Sequence, residues 1–113
     1  MKKVMIVGCG HYMSTGTACP GDWKCFKAAN LGEGKFGEKA EIMSFVRCDC
    51  PGRTVVPNVM TAIKLSGVTP DEIKLSSCMA LAKPDCPTLN MQELAGILKA
   101  KTGIEVTMGT HEY

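Results

Sequence analysis

Four apolar runs punctuate the chain, and each ends in a cysteine or histidine. Val4-Met5-Ile6-Val7-Gly8 leads into Cys9, and Ile42-Met43-Ser44-Phe45-Val46 leads into Arg47-Cys48-Asp49-Cys50-Pro51-Gly52. Ile73-Lys74-Leu75-Ser76-Ser77 leads into Cys78, and Ile104-Glu105-Val106-Thr107-Met108-Gly109 leads into Thr110-His111. Short apolar runs bounded by Gly, Pro and polar residues read as strands.

Amphipathic stretches fill the intervals. A short helix is expected from Asp22, its N-cap, to Asn30, and the glycine-rich segment Leu31 to Gly37 breaks it. Strand two then covers about Ala40 to Val46. Pro57 suits the first turn of a helix reaching about Ser66, with Val59, Met60 and Ile63 on its apolar face and Gly67 as its stop. Thr69-Pro70-Asp71-Glu72 has the pattern of one capped helical turn before a third strand that runs to Cys78. The last helix is the clearest. Asn90 caps it with Glu93 in reciprocal position, Met91, Leu94, Ala95 and Leu98 form the stripe, lysines crowd its end, and Gly103 stops it.

This alternation of strand and helix predicts an α/β fold: one three-layer domain over residues 1–113, with a mostly parallel four-stranded sheet and helices on both faces. In such a sheet the strand C-termini share one edge, where open α/β folds bind ligands. Cys9, Cys48, Cys50, Cys78 and His111, scattered in sequence, then converge. An antiparallel pairing of any strand would remove its residue from that cluster.

Composition narrows the function. With 113 residues the chain has length enough for a core without disulfide staples. A net charge of +2 with dispersed lysines, and 5% aromatic residues, argue against a nucleic-acid partner. Only five residues separate Lys3 from Cys9, whereas an export signal needs an apolar region of roughly 7–15. No segment approaches the ~20 apolar residues of a membrane span. Seven cysteines, an odd number, do not read as a secreted disulfide framework. The expectation is a reducing cytoplasm with no membrane partner, where clustered thiols mean metal binding first and redox chemistry second.

Cys48-Asp49-Cys50 is the sharpest local signal. Two thiolates on one turn can converge on one ion, and soft sulfur suits zinc, copper(I) and iron–sulfur centres. Arg47, Arg53 and the helix start near Pro57 favour the thiolate form. Cys9 lies between glycines, where the chain can approach a ligand. Cys78 ends a strand, Cys86 lies near the last helix's N-terminus, and His111 depends on strand four to reach the edge. Cys19 and Cys25 bracket the start of the first helix; Cys25 reads as packing against the sheet, although the two could also complete a second sulfur site. Other chemistries lack their motifs. Gly8-Cys9-Gly10 is not followed by the rest of a nucleotide loop, no P-loop or C-x-x-C occurs, and the spacing from Cys48 to Arg53 is one residue short of a phosphatase loop.

The pieces together resemble the CGGC domain, a small prokaryotic family held to bind metal because of its cysteine and histidine content. The resemblance rests on Gly8-Cys9, Lys24-Cys25-Phe26-Lys27-Ala28, Phe45 leading to Cys50-Pro51-Gly52, Ser77-Cys78, Cys86-Pro87, and the ending Gly109-Thr110-His111-Glu112-Tyr113. It implies a metal site, with zinc as the family's metal. An iron–sulfur cluster fits the sulfur-rich donor set almost as well. Cys9, Cys48, Cys50 and Cys78 are the core candidate ligands, with Cys86 and His111 as reserves. The alternative is a thiol redox enzyme using Cys48 or Cys50. One departure stands out: the family motif Cys-Gly-Gly-Cys is Arg47-Cys48-Asp49-Cys50 here, so the first cysteine's place holds Arg47 and Cys48 sits on a glycine position.

Overall fold

The computed structural model describes residues 2–9, 23–48, 54–77 and 90–110, with backbone alone at 23 and 24. Its elements alternate: β1 (Lys2–Cys9), α1 (Trp23–Leu31), β2 (Ala40–Cys48), α2 (Val55–Ser66), β3 (Glu72–Leu75), α3 (Met91–Thr102) and β4 (Glu105–Met108). The strands form one sheet in the order β2-β1-β3-β4 with every neighbouring pair parallel. The expected α/β fold is therefore observed, and the strand C-termini share one edge. Among the described residues no helix is long and apolar enough to cross a membrane.

Strand β1 is central and wholly apolar from Val4 to Val7, as a strand covered on both faces must be. Its alternation feeds two cores. Met5 and Val7 join Val46, Cys48, Val55, Val59, Ile73, Leu75, Leu94, Leu98 and Ile104 beneath α2 and α3. Val4 and Ile6 join Cys25, Ala29 and Ala40 beneath α1.

A bulge in β2 decides which core receives each of its residues. Val4 pairs with Ile42 but Met5 pairs with Ser44, so Met43 is an extra residue. An extra residue reverses the in–out alternation beyond it. Ala40 and Ile42 face α1; past the bulge Phe45 faces α1 as well, while Val46 and Cys48 turn toward α2. Phe45 stacks on Phe26 at 6.1 Å between centroids and crosses Gly8, where an added Cβ would lie 2.5 Å from the ring's Cζ. Glycine at that position is what admits the ring.

The helices stop as their sequences indicate. Gly67 and Gly103 take φ of 71°, and their N–H groups donate to Ile63 O at 3.2 Å and Lys99 O at 2.8 Å. At the start of α3 the Asn90 side chain accepts from Glu93 N–H at 3.0 Å.

Some expectations fail. Thr69 to Glu72 forms no helical turn. Asp71 instead engages the start of β1: its N–H donates to Lys3 O at 2.7 Å, and its Oδ2 accepts from Lys3 N–H at 2.9 Å. Glu72 then opens β3, which ends at Leu75 rather than reaching Cys78. On α2 the buried pair is Val55 and Val59, one turn apart, and Met60 is rotated out to 42% exposure.

Helix α1 spans only nine residues, and the β3–β4 half of its face is closed differently. There Lys74 is 5% exposed, and its ammonium donates to Lys35 O at 3.1 Å and to Thr107 Oγ1 at 3.2 Å and lies 5.1 Å from the Phe36 ring centroid. Buried Glu72 pairs with Lys2 at 3.2 Å and accepts from the Thr107 hydroxyl at 2.7 Å. Burial pushes the Lys74 pKa below the ordinary 10.5, against the opposing pull of the Glu72 carboxylate.

Candidate metal centre at the carboxyl edge of the sheet

Cys9 is the last residue of β1 and Cys48 the last of β2, and their Cα atoms are register partners. Cys48 belongs to the core under α2 and α3, and Cys9 packs against that same core. The bulge at Met43 brings this about, because without it Cys48 would face α1. Cys48 is 5% exposed, whereas Cys9 is half-buried. The sequence placed Cys48 on a turn; the structure places it within β2, paired and packed.

The pair adjoins a topological switch point. From β1 the chain first turns outward to β2 and then crosses back to β3, so β1 and β3 are neighbours whose connections leave in opposite directions. Open α/β sheets hold ligands in the crevice at such points. Cys9 borders this one on the β1 side. Ser76 and Ser77, both fully buried, border it on the β3 side, and Ser76 N–H donates to Val7 O at 2.8 Å. Helix α2 starts at Val55, which packs in the Cys48 core; its N-cap, Thr54, makes no side-chain capping bond.

A second buried cluster ties the ends of β3 and β4 to α1. Thr110 N–H donates to Ser77 Oγ at 3.0 Å, and Ser77 N–H donates to Thr110 Oγ1 at 3.4 Å. The Thr110 hydroxyl also meets Cys25 Sγ at 3.1 Å, and its carbonyl accepts from Lys35 N–H at 3.1 Å. Cys25, Ser77 and Thr110 are all buried. Cys25 thus lies on the α1 side of the sheet, opposite Cys9 and Cys48, and its thiol engages a hydroxyl. Its packing role is the one observed.

Of the sequence-derived ligand candidates, the structure brings Cys9 and Cys48 together. Cys50, Cys78, Cys86 and His111 lie outside the described residues, as does Cys19. Among the described residues no three His, Cys, Asp or Glu side chains gather as a metal-holding group. Cys78 and His111 follow directly in the chain from Ser77 and Thr110, the two residues that bond reciprocally. Sequence reasoning missed Ser77 and Thr110 as a unit. Their signal was a polar residue directly before a candidate ligand at the end of each of two neighbouring strands.

The chemistry available is that of soft donors. Sulfur on two adjacent strand ends is of the donor type that suits zinc, copper(I) or an iron–sulfur centre. The CGGC domain model matches residues 3–111. An uncharacterized protein of Methanocaldococcus jannaschii is 32% identical over 115 residues, covering 96% of this chain and 86% of that one. No solved structure matches. With the family model spanning nearly the whole chain, this protein belongs to the CGGC domain family.

Proposed function

We propose that the protein binds metal through a cysteine-thiolate site at the carboxyl edge of its sheet. Cys9, Cys48, Cys50 and Cys78 are the core ligands, and Cys86 and His111 are the reserves. The observation that carries this reading is the register pairing of Cys9 with Cys48 on one face, beside the switch point. The bound species is zinc or an iron–sulfur cluster, in a single cytoplasmic domain with no nucleic-acid or membrane partner.

The chain's own residues divide the work. The β1–β2 ladder fixes the Cys9 and Cys48 backbones, and the core under α2 and α3 shields Cys48 from water. A thiolate there is a stronger ligand than one competing with solvent, and each thiol that binds gives up its proton, so affinity falls as pH falls. The Ser77–Thr110 bonds hold the two strand ends from which Cys78 and His111 continue. The bound group supplies either a structural tie or electron transfer, according to whether it is zinc or a cluster.

Cobalt(II) substitution tests the reading. The reduced, metal-stripped chain should take up cobalt with intense thiolate-to-metal charge-transfer bands, and Cys48→Ser should weaken them. Full intensity in both Cys48→Ser and Cys9→Ser would remove this pair from the site.

A second reading, thiol redox catalysis with Cys48 or Cys50 as the attacking thiolate, is favoured by the register pairing of Cys9 with Cys48, which sets two thiols on adjacent strand ends. It requires fast alkylation of one thiol and no stoichiometric metal.

A further inference from the structure

We infer that Cys9 and Cys48 form a reversible dithiol–disulfide couple, so that the same two sulfurs are either open to a metal or closed on each other. The inference rests on the metal-site reading only in using sulfurs assigned to that site; its geometry stands alone.

Three observations carry it. The two residues are Cα register partners on adjacent hydrogen-bonded strands. Neighbouring strands lie about 4.7–4.9 Å apart, inside the roughly 4.4–6.8 Å range of Cα separations that a disulfide bridges. Both residues pack on the same core, so their side chains leave the sheet on the same face. Both are also the last residues of their strands, so a bridge ties the ladder's end and leaves its interior untouched. They differ in access: Cys9 is half-buried and Cys48 is 5% exposed. That asymmetry suits an attacking thiol and a resolving thiol.

The oxidant is a small disulfide of the glutathione type. The Cys9 thiolate attacks one of its sulfurs, the small S–S bond breaks, and the first small thiolate leaves. The Cys48 thiolate then attacks the Cys9 sulfur of this mixed disulfide, forming the Cys9–Cys48 bond and expelling the second small thiolate. Two protein thiols are oxidised, one small disulfide is reduced, and the two thiol protons finish on the two released thiols.

The test uses the full chain, reduced, stripped of metal with a chelator and treated with oxidised glutathione. Acid quenching, proteolysis and mass spectrometry should find a cross-link between the peptides carrying Cys9 and Cys48, lighter by two hydrogens and lost on reduction. Cys50→Ser should retain this cross-link. Closure in the folded chain should outpace closure in urea by roughly tenfold or more, as expected when the fold holds the partners close. Capture of Cys9 solely as a mixed glutathione disulfide, a link to Cys50 alone, or equal rates folded and unfolded would overturn the inference. Metal analysis of the reduced chain is separate, so a chain that holds metal but never closes, and one that closes but never holds metal, are told apart.

Discussion

Ser77 and Thr110 exchange hydrogen bonds across the ends of β3 and β4: the Thr110 N–H donates to the Ser77 hydroxyl at 3.0 Å, and the Ser77 N–H donates to the Thr110 hydroxyl at 3.4 Å. Both residues are fully buried, and the same Thr110 hydroxyl reaches Cys25 on α1. One side chain therefore joins three elements at the carboxyl edge of the sheet.

Thr110→Val keeps the shape but removes the hydroxyl, leaving the buried Ser77 N–H without that acceptor. It should cost about 0.5–1.5 kcal/mol, the range for one lost intramolecular hydrogen bond. Thr110→Ser should cost less, because it retains the hydroxyl and loses only a methyl. Urea unfolding of the three proteins decides the ranking, and a Val variant with the wild-type midpoint would show that the hydroxyl contributes nothing.

Cys25 is committed to packing and to Thr110, on the far side of the sheet from Cys9 and Cys48. Cys25→Ser should therefore leave the metal content per chain unchanged, while Cys48→Ser lowers it. Elemental analysis of both variants, purified under the same conditions, makes the comparison.

Gly8→Ala should destabilise the protein by about 1–3 kcal/mol, the usual cost of overpacking. Its new Cβ would lie 2.5 Å from the Phe45 ring. Phe45→Leu should recover part of that loss when combined with Gly8→Ala, so the two changes should be clearly non-additive in thermal or urea unfolding.

The Lys74–Glu72 cluster sets a pH dependence. Burial lowers the folded-state pKa of Lys74 below 10.5, opposed by Glu72 and reinforced by Lys2. Between that lowered value and 10.5 the unfolded chain binds more protons at this group than the folded one, so this contribution to stability rises with pH. The stability difference between the wild type and Lys74→Met should therefore grow in favour of the wild type as pH climbs toward 10.5. At neutral pH Lys74→Met should cost no more than the ~3–5 kcal/mol of a broken buried pair, since Lys2 stays near Glu72. Glu72→Gln together with Lys74→Met should cost less than Lys74→Met alone. Denaturant titrations of the three proteins across that pH range measure both effects.

How far the sequence reached depended on how local each signal was. The last helix was legible to the residue, because Asn90, Glu93 and Gly103 act through bonds within a turn. The parallel sheet was legible from the alternation of apolar runs with amphipathic stretches. The side of the sheet taken by Cys48 was not, because it depends on the bulge at Met43, which the register with β1 creates and the β2 sequence does not announce. Burial of Lys74 was hidden for a similar reason: α1 is too short to cover β3, and the 32–39 connector that does so comes from another part of the chain. Asp71 was read as part of a helical turn because Thr69 and Pro70 precede it, yet its partner is Lys3, 68 residues away.

A thiolate metal site at the carboxyl edge is tested by anaerobic purification followed by metal and sulfide analysis with a visible spectrum. Stoichiometric metal is the expected result: either a colourless protein with one zinc per chain, or a brown one with iron and acid-labile sulfide. A colourless protein free of metal under those conditions would contradict it.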